Sequence, residues 1–469
     1  MASVDAPVLA MTLRDRWSVL ARNRLVRSVG VLVGGTAFAH AITAATLPIV
    51  TRLYTPADFS VLAVFASVLS IVSVAACLRF DVAIPIPDHD GEAVNLLALA
   101  LSCTTVVALA IAIALLVAPA SVIGSFKQPG LAPWLWLLPF GVLLSGGYSA
   151  LQMWFVRKKE FGLIARSRVT QSAAASATQV SLGSLHWAPV GLILGQMLNT
   201  GAGCIALGYR LVARERDTLR LVSTARMRSA FAAYDRFPKY STFEALSNSA
   251  SIQLPIILIA ALAIGPEAGY LVLAMSAMQA PMGLIGTAVS QVYLSRAPEE
   301  HRAGRLNSFT ASVFGALIKS GVGPLILVGL VAPDLFGFVF GTPWRRAGVL
   351  VAWMTPWFIM QFLSVPVSMA LHVTGRQRAA LALQMFGLAL RVGAVLAAAA
   401  LAANLISEAY ALSGFVFYFV YLAIVLRVVD AKPAEVIREV MRALPIVACW
   451  AASGWAASLL FGRLDLFTR

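Results

Sequence analysis

The chain has 469 residues, of which 59% are hydrophobic and 12% charged, with a mean hydropathy of +0.83 and a net charge of +15. A soluble domain carries about 25% charge, so this apolar surplus excludes a water-soluble globule and points to an integral membrane protein. The apolar runs last twenty residues or more, not the ten or so of a barrel strand, so the spans are helices and the fold class is all-α.

Residues 1–27 place Leu9, Leu13, Trp17 and Leu20 at helical spacing among five arginines, the pattern of a basic amphipathic helix lying on an anionic lipid surface. The apolar stretch that follows is too long for a signal-peptide core. Spans are expected at about 28–50, 59–78, 93–119, 134–156, 164–185 and 188–212, forming an N-lobe over 28–212. The first holds His40 mid-span with Thr36 and Thr43 on its face. That stripe suits hydrogen bonds to neighbouring helices, or proton coupling, because histidine titrates near neutral pH. Arg52 closes the span, either as an interfacial anchor or as a guide for an anion. The fifth carries Ser172, Ser176, Gln179 and Gly183 on one face, suited equally to sugar hydroxyls or to helix packing.

A basic linker at 213–239 leads to a C-lobe over 240–429, with spans at about 240–264, 267–294, 309–333, 349–373, 379–403 and 406–427. Glu244, Asn248 and Ser251 share a face of the seventh span and could bind a coupling ion or pair with a cation. Lys319 and Arg391 each fall ten or more residues into a span, ~15 Å deep at 1.5 Å per residue. Snorkelling does not easily reach that far, so each is expected to face the bundle interior or a wet cavity. Ser312, Gly315 and Gly323 beside Lys319, and Gln384 and Gly387 beside Arg391, suggest room for a ligand; a structural cation met by a carboxylate is the plainer alternative. In residues 430–469, an amphipathic stretch at 433–444 precedes a run at 444–461 that either spans or lies at the interface.

Placing the N-terminus in the cytoplasm puts 28 basic residues on the cytoplasmic side and 6 on the other, with Lys319 and Arg391 inside spans. That asymmetry sets the expected orientation and accounts for most of the positive charge, so nucleic acid is not an expected partner. The four cysteines, Cys77, Cys103, Cys204 and Cys449, lie in or beside apolar runs and show no metal or redox spacing. No P-loop motif, cofactor motif or large extramembrane domain occurs, so energy must come from an ion gradient, the membrane potential or product removal. An internal repeat pairs Leu47-Pro48-Ile49, then Pro56-Ala57-Asp58, with Leu254-Pro255-Ile256, then Pro266-Glu267: span, prolyl kink, short turn, return span. Parallel repeats of six spans suit a transporter that binds its cargo between lobes related by a pseudo-twofold along the membrane normal.

The stretch Arg52-Leu53-Tyr54-Thr55-Pro56-Ala57-Asp58-Phe59, followed by Leu78-Arg79-Phe80-Asp81-Val82-Ala83-Ile84-Pro85-Ile86-Pro87, resembles the Wzx-type polysaccharide flippases. Their superfamily also holds the lipid II flippase and the multidrug and toxic compound extrusion (MATE) transporters. Arg157-Lys158-Lys159-Glu160-Phe161 and Thr374-Gly375-Arg376-Gln377 resemble the family too, and the likeness covers about 28–429; Pro85 departs slightly from its pattern. The resemblance implies a non-enzymatic, multi-pass protein of the bacterial cytoplasmic membrane. It would turn an undecaprenyl-pyrophosphate-linked oligosaccharide to the outer leaflet by alternating access, for O-antigen, capsule or exopolysaccharide synthesis. The implied partners are that substrate, anionic lipids, a coupling ion (H+ or Na+), and polymerase and chain-length machinery. Arg79 and Asp81 would anchor the inner boundary, Asp81 pairing with a base elsewhere, or form an inner gate. The prolines favour broken or extended backbone after Phe80. Two other readings stay open. A MATE-type exporter of another cargo would favour acidic cavity groups where the midplane charges here are basic. A polymerase or ligase would use the pair Arg345-Arg346, but on a short loop.

Overall fold

The computed structural model describes residues 24–117, 130–374 and 376–467, and among them there are helices and turns but no strands. The expected basic N-terminal helix therefore lies mostly outside the described residues. The first half contains α1 (Arg24–Leu53), α2 (Pro56–Ala76), α3 (Phe80–Ala83), α4 (Asp90–Val117), α5 (Leu138–Arg157), α6 (Phe161–Ser184), α7 (Val190–Gly201) and α8 (Gly203–Arg214). The linker holds α9 (Arg216–Leu219) and α10 (Thr224–Ala233). The second half contains α11 (Thr242–Leu262), α12 (Glu267–Arg302), α13 (Leu306–Leu317), α14 (Gly323–Phe340), α15 (Arg345–Ser364), α16 (Ala370–Val373), α17 (Gln377–Leu401), α18 (Ile406–Val428) and α19 (Pro433–Phe467). Eleven helical segments among the described residues are long and apolar enough to cross a membrane, including Pro433–Leu460. The 24-residue α6 and 36-residue α12 have the length but are not among those eleven.

The long helices alternate in direction. One end of the molecule carries the α1–α2 turn and is called the turn end; the other carries the 215–236 linker and is called the linker end. Several expected spans are interrupted. The sixth breaks at Ala202 between α7 and α8, where Gly201 and Gly203 press against Leu144, Tyr148 and Gln171; a Cβ at either glycine would clash. The ninth contains a π-turn, Ile318–Val322, that carries Lys319. The tail expected as an amphipathic stretch plus a separate run is one helix, and Pro445 does not end it.

Each half uses one pattern of neighbours. In the first, α1 packs on α6, α6 on α7, α7 on α5, and α5 on both α2 and α4. In the second, α11 packs on α17, α17 on α18, α18 on α15, and α15 on both α12 and α14. The halves meet where α2 packs on α11 and α12, and α1 on α12 and α14. Exchanging α1 with α11 and α2 with α12 maps the contacts among those four helices onto themselves; the α1–α14 contact stands outside that exchange. The helix α19 stands outside the pattern and packs along α13 and α14. A continuous apolar core runs through both halves, and a second cluster around Phe80, Trp154 and Ile164 fills the linker end of the first.

Candidate functional site

The seam between the halves is built at the turn end by the motif Arg52–Phe59. Pro56 begins α2, and Thr55 and Asp58 form a reciprocal capping box that satisfies its first amides. Tyr54 fixes this turn to the first half by donating from its hydroxyl to the Gln179 carbonyl at 2.8 Å, and Gly183 and Gly191 make room for its ring. The other motif residues cross the seam. Trp344, 1% exposed, donates from Nε1 to the Thr51 carbonyl at 2.9 Å. Its ring meets Phe59 edge-on at 4.7 Å and Tyr270 at 6.1 Å, a geometry that aromatic quadrupoles favour. The amide of Gly269 donates to Ser60 Oγ at 2.9 Å, and a Cβ there would run into the Pro56 carbonyl, so this approach requires glycine. Arg52 donates to the Phe338 carbonyl at 3.4 Å. Midway along, Ser67 donates to Gln253 Oε1 at 3.1 Å, and Gln253 donates onward to Ser70.

Behind the seam, Arg346 forks onto both oxygens of Glu267 at 3.0 and 3.2 Å and meets Glu408 at 2.6 Å, tying α12, α15 and α18 together.

At the linker end, the stretch after α2 folds back into the first half. Leu78 and Arg79 take left-handed backbone (φ 47° and 60°), a cost of about 1–2 kcal/mol per residue for side chains with a Cβ. They aim the one-turn helix α3 inward, leaving Phe80 fully buried. The chain breaks on both sides of α3: before Phe80, at 77–79, and after Ala83, where 84–89 form turns and bends around Pro85 and Pro87 as the prolines favour. Asp81 is also buried, and its Oδ2 accepts from Ser149 at 2.6 Å rather than pairing with a base. Arg79 and Asp81 do not pair with each other, and Arg79 Nε and Asp81 Oδ1 are buried without a hydrogen-bond partner among the described residues.

Arg157 holds the following loop. It donates to Asp90 at 2.9 Å and to the carbonyls of Pro85, Pro87 and Asp88. Lys158 bridges Asp90 at 2.7 Å and Glu215 at 3.3 Å. Burial alone would lower the Lys158 pKa, but those two carboxylates outweigh it and the ammonium titrates above its usual range. Asn95 bonds the Leu221 carbonyl and the Ser223 amide, and Tyr234 donates to Glu92, so the linker is fastened here too.

The ten expected site residues are not gathered in one place. Lys319 meets Glu439 of α19 at 2.9 Å, and the expected room is taken: Glu439 fills the space beside Gly315 and Trp450 the space beside Gly323. Arg391 is 4% exposed, with its guanidinium 4.4 Å from the Phe417 ring centroid and near those of Tyr418 and Trp357. Phe417 also fills the space beside Gly387, so aromatic faces answer this cation where a ligand was expected. Gln384 is half-buried on the same helix. His40, Glu244 and Asn248 are exposed; Thr43 bonds Ser172, and Gln179 packs against Gly195, so the polar face of α6 serves helix packing. Sequence reasoning missed Trp344, Gln253, Ser149 and Glu439. Only Trp344 carried a signal, as a large aromatic in a short loop between a proline and two arginines.

The sequence profile of the polysaccharide biosynthesis protein family matches residues 49–348, which include the whole turn-end seam. The chain belongs to this family. No curated protein matches it. Among solved structures, the lipid II flippase MurJ in an inward closed conformation is similar at 11% identity and a TM-score of 0.70, over 93% of this chain and 99% of that one. An inward-facing MATE multidrug transporter is similar at 14% identity and a TM-score of 0.58, over 88% of this chain and 94% of that one. At such identities the likeness is one of fold, and the family member described here is a multi-pass helical membrane protein of MurJ and MATE architecture.

Proposed function

We propose that this family member is a flippase that carries a polyprenyl-pyrophosphate-linked oligosaccharide from the cytoplasmic to the outer leaflet by rocking one half against the other. The observation that carries the reading is the seam, where two halves of matching helix adjacency are joined at the turn end by a few uncharged contacts. Each such hydrogen bond contributes about 1 kcal/mol net, and each ring pair about 1 kcal/mol. Their sum of a few kcal/mol lies in the range that a bound substrate can reverse. The charge asymmetry of the loops assigns the linker end to the cytoplasm, so the state described here is closed toward the outside. An anionic cargo is supported by the family and by the basic linker end, not by Lys319 and Arg391, which the protein's own groups engage.

The test is translocation in proteoliposomes, using a fluorescent polyprenyl-pyrophosphate disaccharide and a membrane-impermeant quencher. The wild-type protein is expected to make the inner-leaflet pool accessible. Gly269→Val, which cannot close the turn end, should slow this about tenfold or more, the effect of 1.4 kcal/mol or more. Wild-type liposomes indistinguishable from protein-free ones would overturn the reading.

A further inference from the structure

A cavity of about 820 Å³ lies at the linker end between α1, α6 and α8, away from the seam contacts. Its wall includes Gly35, Glu160, Gly162, Arg166, Thr170 and Arg210. Gly35 presses onto Ala165 in its wall, so α1 and α6 approach closely there. We propose that this pocket binds the phosphate group of a membrane lipid headgroup, with Arg166 and Arg210 as its two cationic contacts. The assignment to the cytoplasmic leaflet rests on the reading above; the phosphate chemistry does not.

Three observations support it. The first is a contrast among neighbours. Arg157 and Lys158 are each held by carboxylates, and Arg168 donates to Gln152 and lies over the Tyr148 ring. Arg166 and Arg210, on the same end of the same half, have no ion-pair or hydrogen-bond partner among the described residues, and both face one cavity. Two like charges sharing a pocket repel, and an anion between them relieves that. The second is fit. A guanidinium presents paired donors that match phosphate oxygens, and the volume lies within the range of small-molecule sites, roomy enough for a phosphate with its first attached group. The third is position, where α1 and α6 pack together and α1 continues to the seam. Glu160 opposes the anion and leaves the pocket one positive charge in excess.

The experiment is native mass spectrometry of the full-length protein in detergent, titrated in separate arms with undecaprenyl pyrophosphate and with phosphatidylglycerol. Arg166→Gln with Arg210→Gln is expected to retain about tenfold less phosphate lipid than wild type, the effect of losing one charge-assisted contact or more. Glu160→Gln should retain more. Loss confined to the undecaprenyl arm identifies the substrate as the ligand; equal loss in both arms identifies a general anionic headgroup site. Unchanged retention in both arms, with thermal melting also unchanged, overturns the proposal. Translocation by the wild-type protein tests the function independently, so a failed pocket and a failed flippase give different results.

Discussion

The turn end and the linker end are held together by different chemistry. At the linker end charges dominate: Arg157, Lys158, Asp90 and Glu215 fasten the loop after α3, the start of α4 and the linker into one unit. All of those bonds stay within the first half and its linker. At the turn end the ion pairs of Arg346 with Glu267 and Glu408, and of Arg345 with Asp334, stay within the second half. Among the described residues, the hydrogen bonds and ring contacts named above that cross between halves are mostly neutral: Trp344 to a carbonyl, Gly269 to a hydroxyl, ring edges, and Ser67 to Gln253. Arg52 is the charged exception among them, and it reaches a carbonyl at a long 3.4 Å. The division is physically sensible. A buried ion pair costs several kcal/mol to break because each charge is left unpaired, whereas a neutral contact can be exchanged for another of similar worth. Charges brace each half as a body, and in the proposed cycle it is the neutral contacts that would be exchanged as the bodies move.

The sharpest way to break the comparison is to remove a brace. Arg157→Ala takes away its four bonds to residues 85–90 at once and leaves Asp90 with Lys158 alone. A loss of about 3 kcal/mol is expected from several charge-assisted hydrogen bonds removed together, read as a fall in thermal melting in detergent and as proteolysis within 84–92. A variant that melts like wild type would show that Phe80 and Ala83 packing holds the loop without it.

Much of this was legible in the sequence. The spans and the turn motif depend on local pattern, and most helices formed where composition placed them, with Pro48 and Pro255 inside α1 and α11. The cations were legible as anomalies but not in their solutions. The partner of Lys319 lies 120 residues away on α19, and no periodicity on α13 or α14 points to it. Glycines beside Lys319 and Arg391 read as empty space, yet each admits a side chain from another helix: Glu439, Trp450 or Phe417. A small residue on a membrane helix signals close approach, and the sequence does not say of what. The polar face of α6 was ambiguous for the same reason and resolved to packing.

A gentler break is to weaken the neutral seam. Trp344→Ala removes one hydrogen bond and one ring contact that join the halves, and a second ring contact, to Tyr270, within the second half. The expected loss of closure is about 2 kcal/mol, a shift of roughly thirtyfold in the closed-to-open ratio. Spin labels at Ala57→Cys and Thr342→Cys, with the four native cysteines replaced, should show a longer turn-end separation becoming populated. A distance distribution identical to that of the labelled parent would mean that closure is set elsewhere.

The smallest expected effect separates a hinge from a latch. Gln253 joins α11 to Ser67 and Ser70 of α2, between the two ends of the seam. A contact near the axis of a rocking motion changes little in geometry, so it is made in both states and stabilises them equally. Gln253→Leu then costs about 1 kcal/mol or less of overall stability through the lost hydrogen bonds, while the open-to-closed ratio moves less than twofold, because a contact with equal free energy in two states shifts neither. The same spin-label pair tests this, with thermal melting measured in parallel. A large rise in turn-end separation for Gln253→Leu, comparable with that of Trp344→Ala, would place Gln253 in the latch. The pivot would then have to be sought among the apolar contacts of α2 with α12.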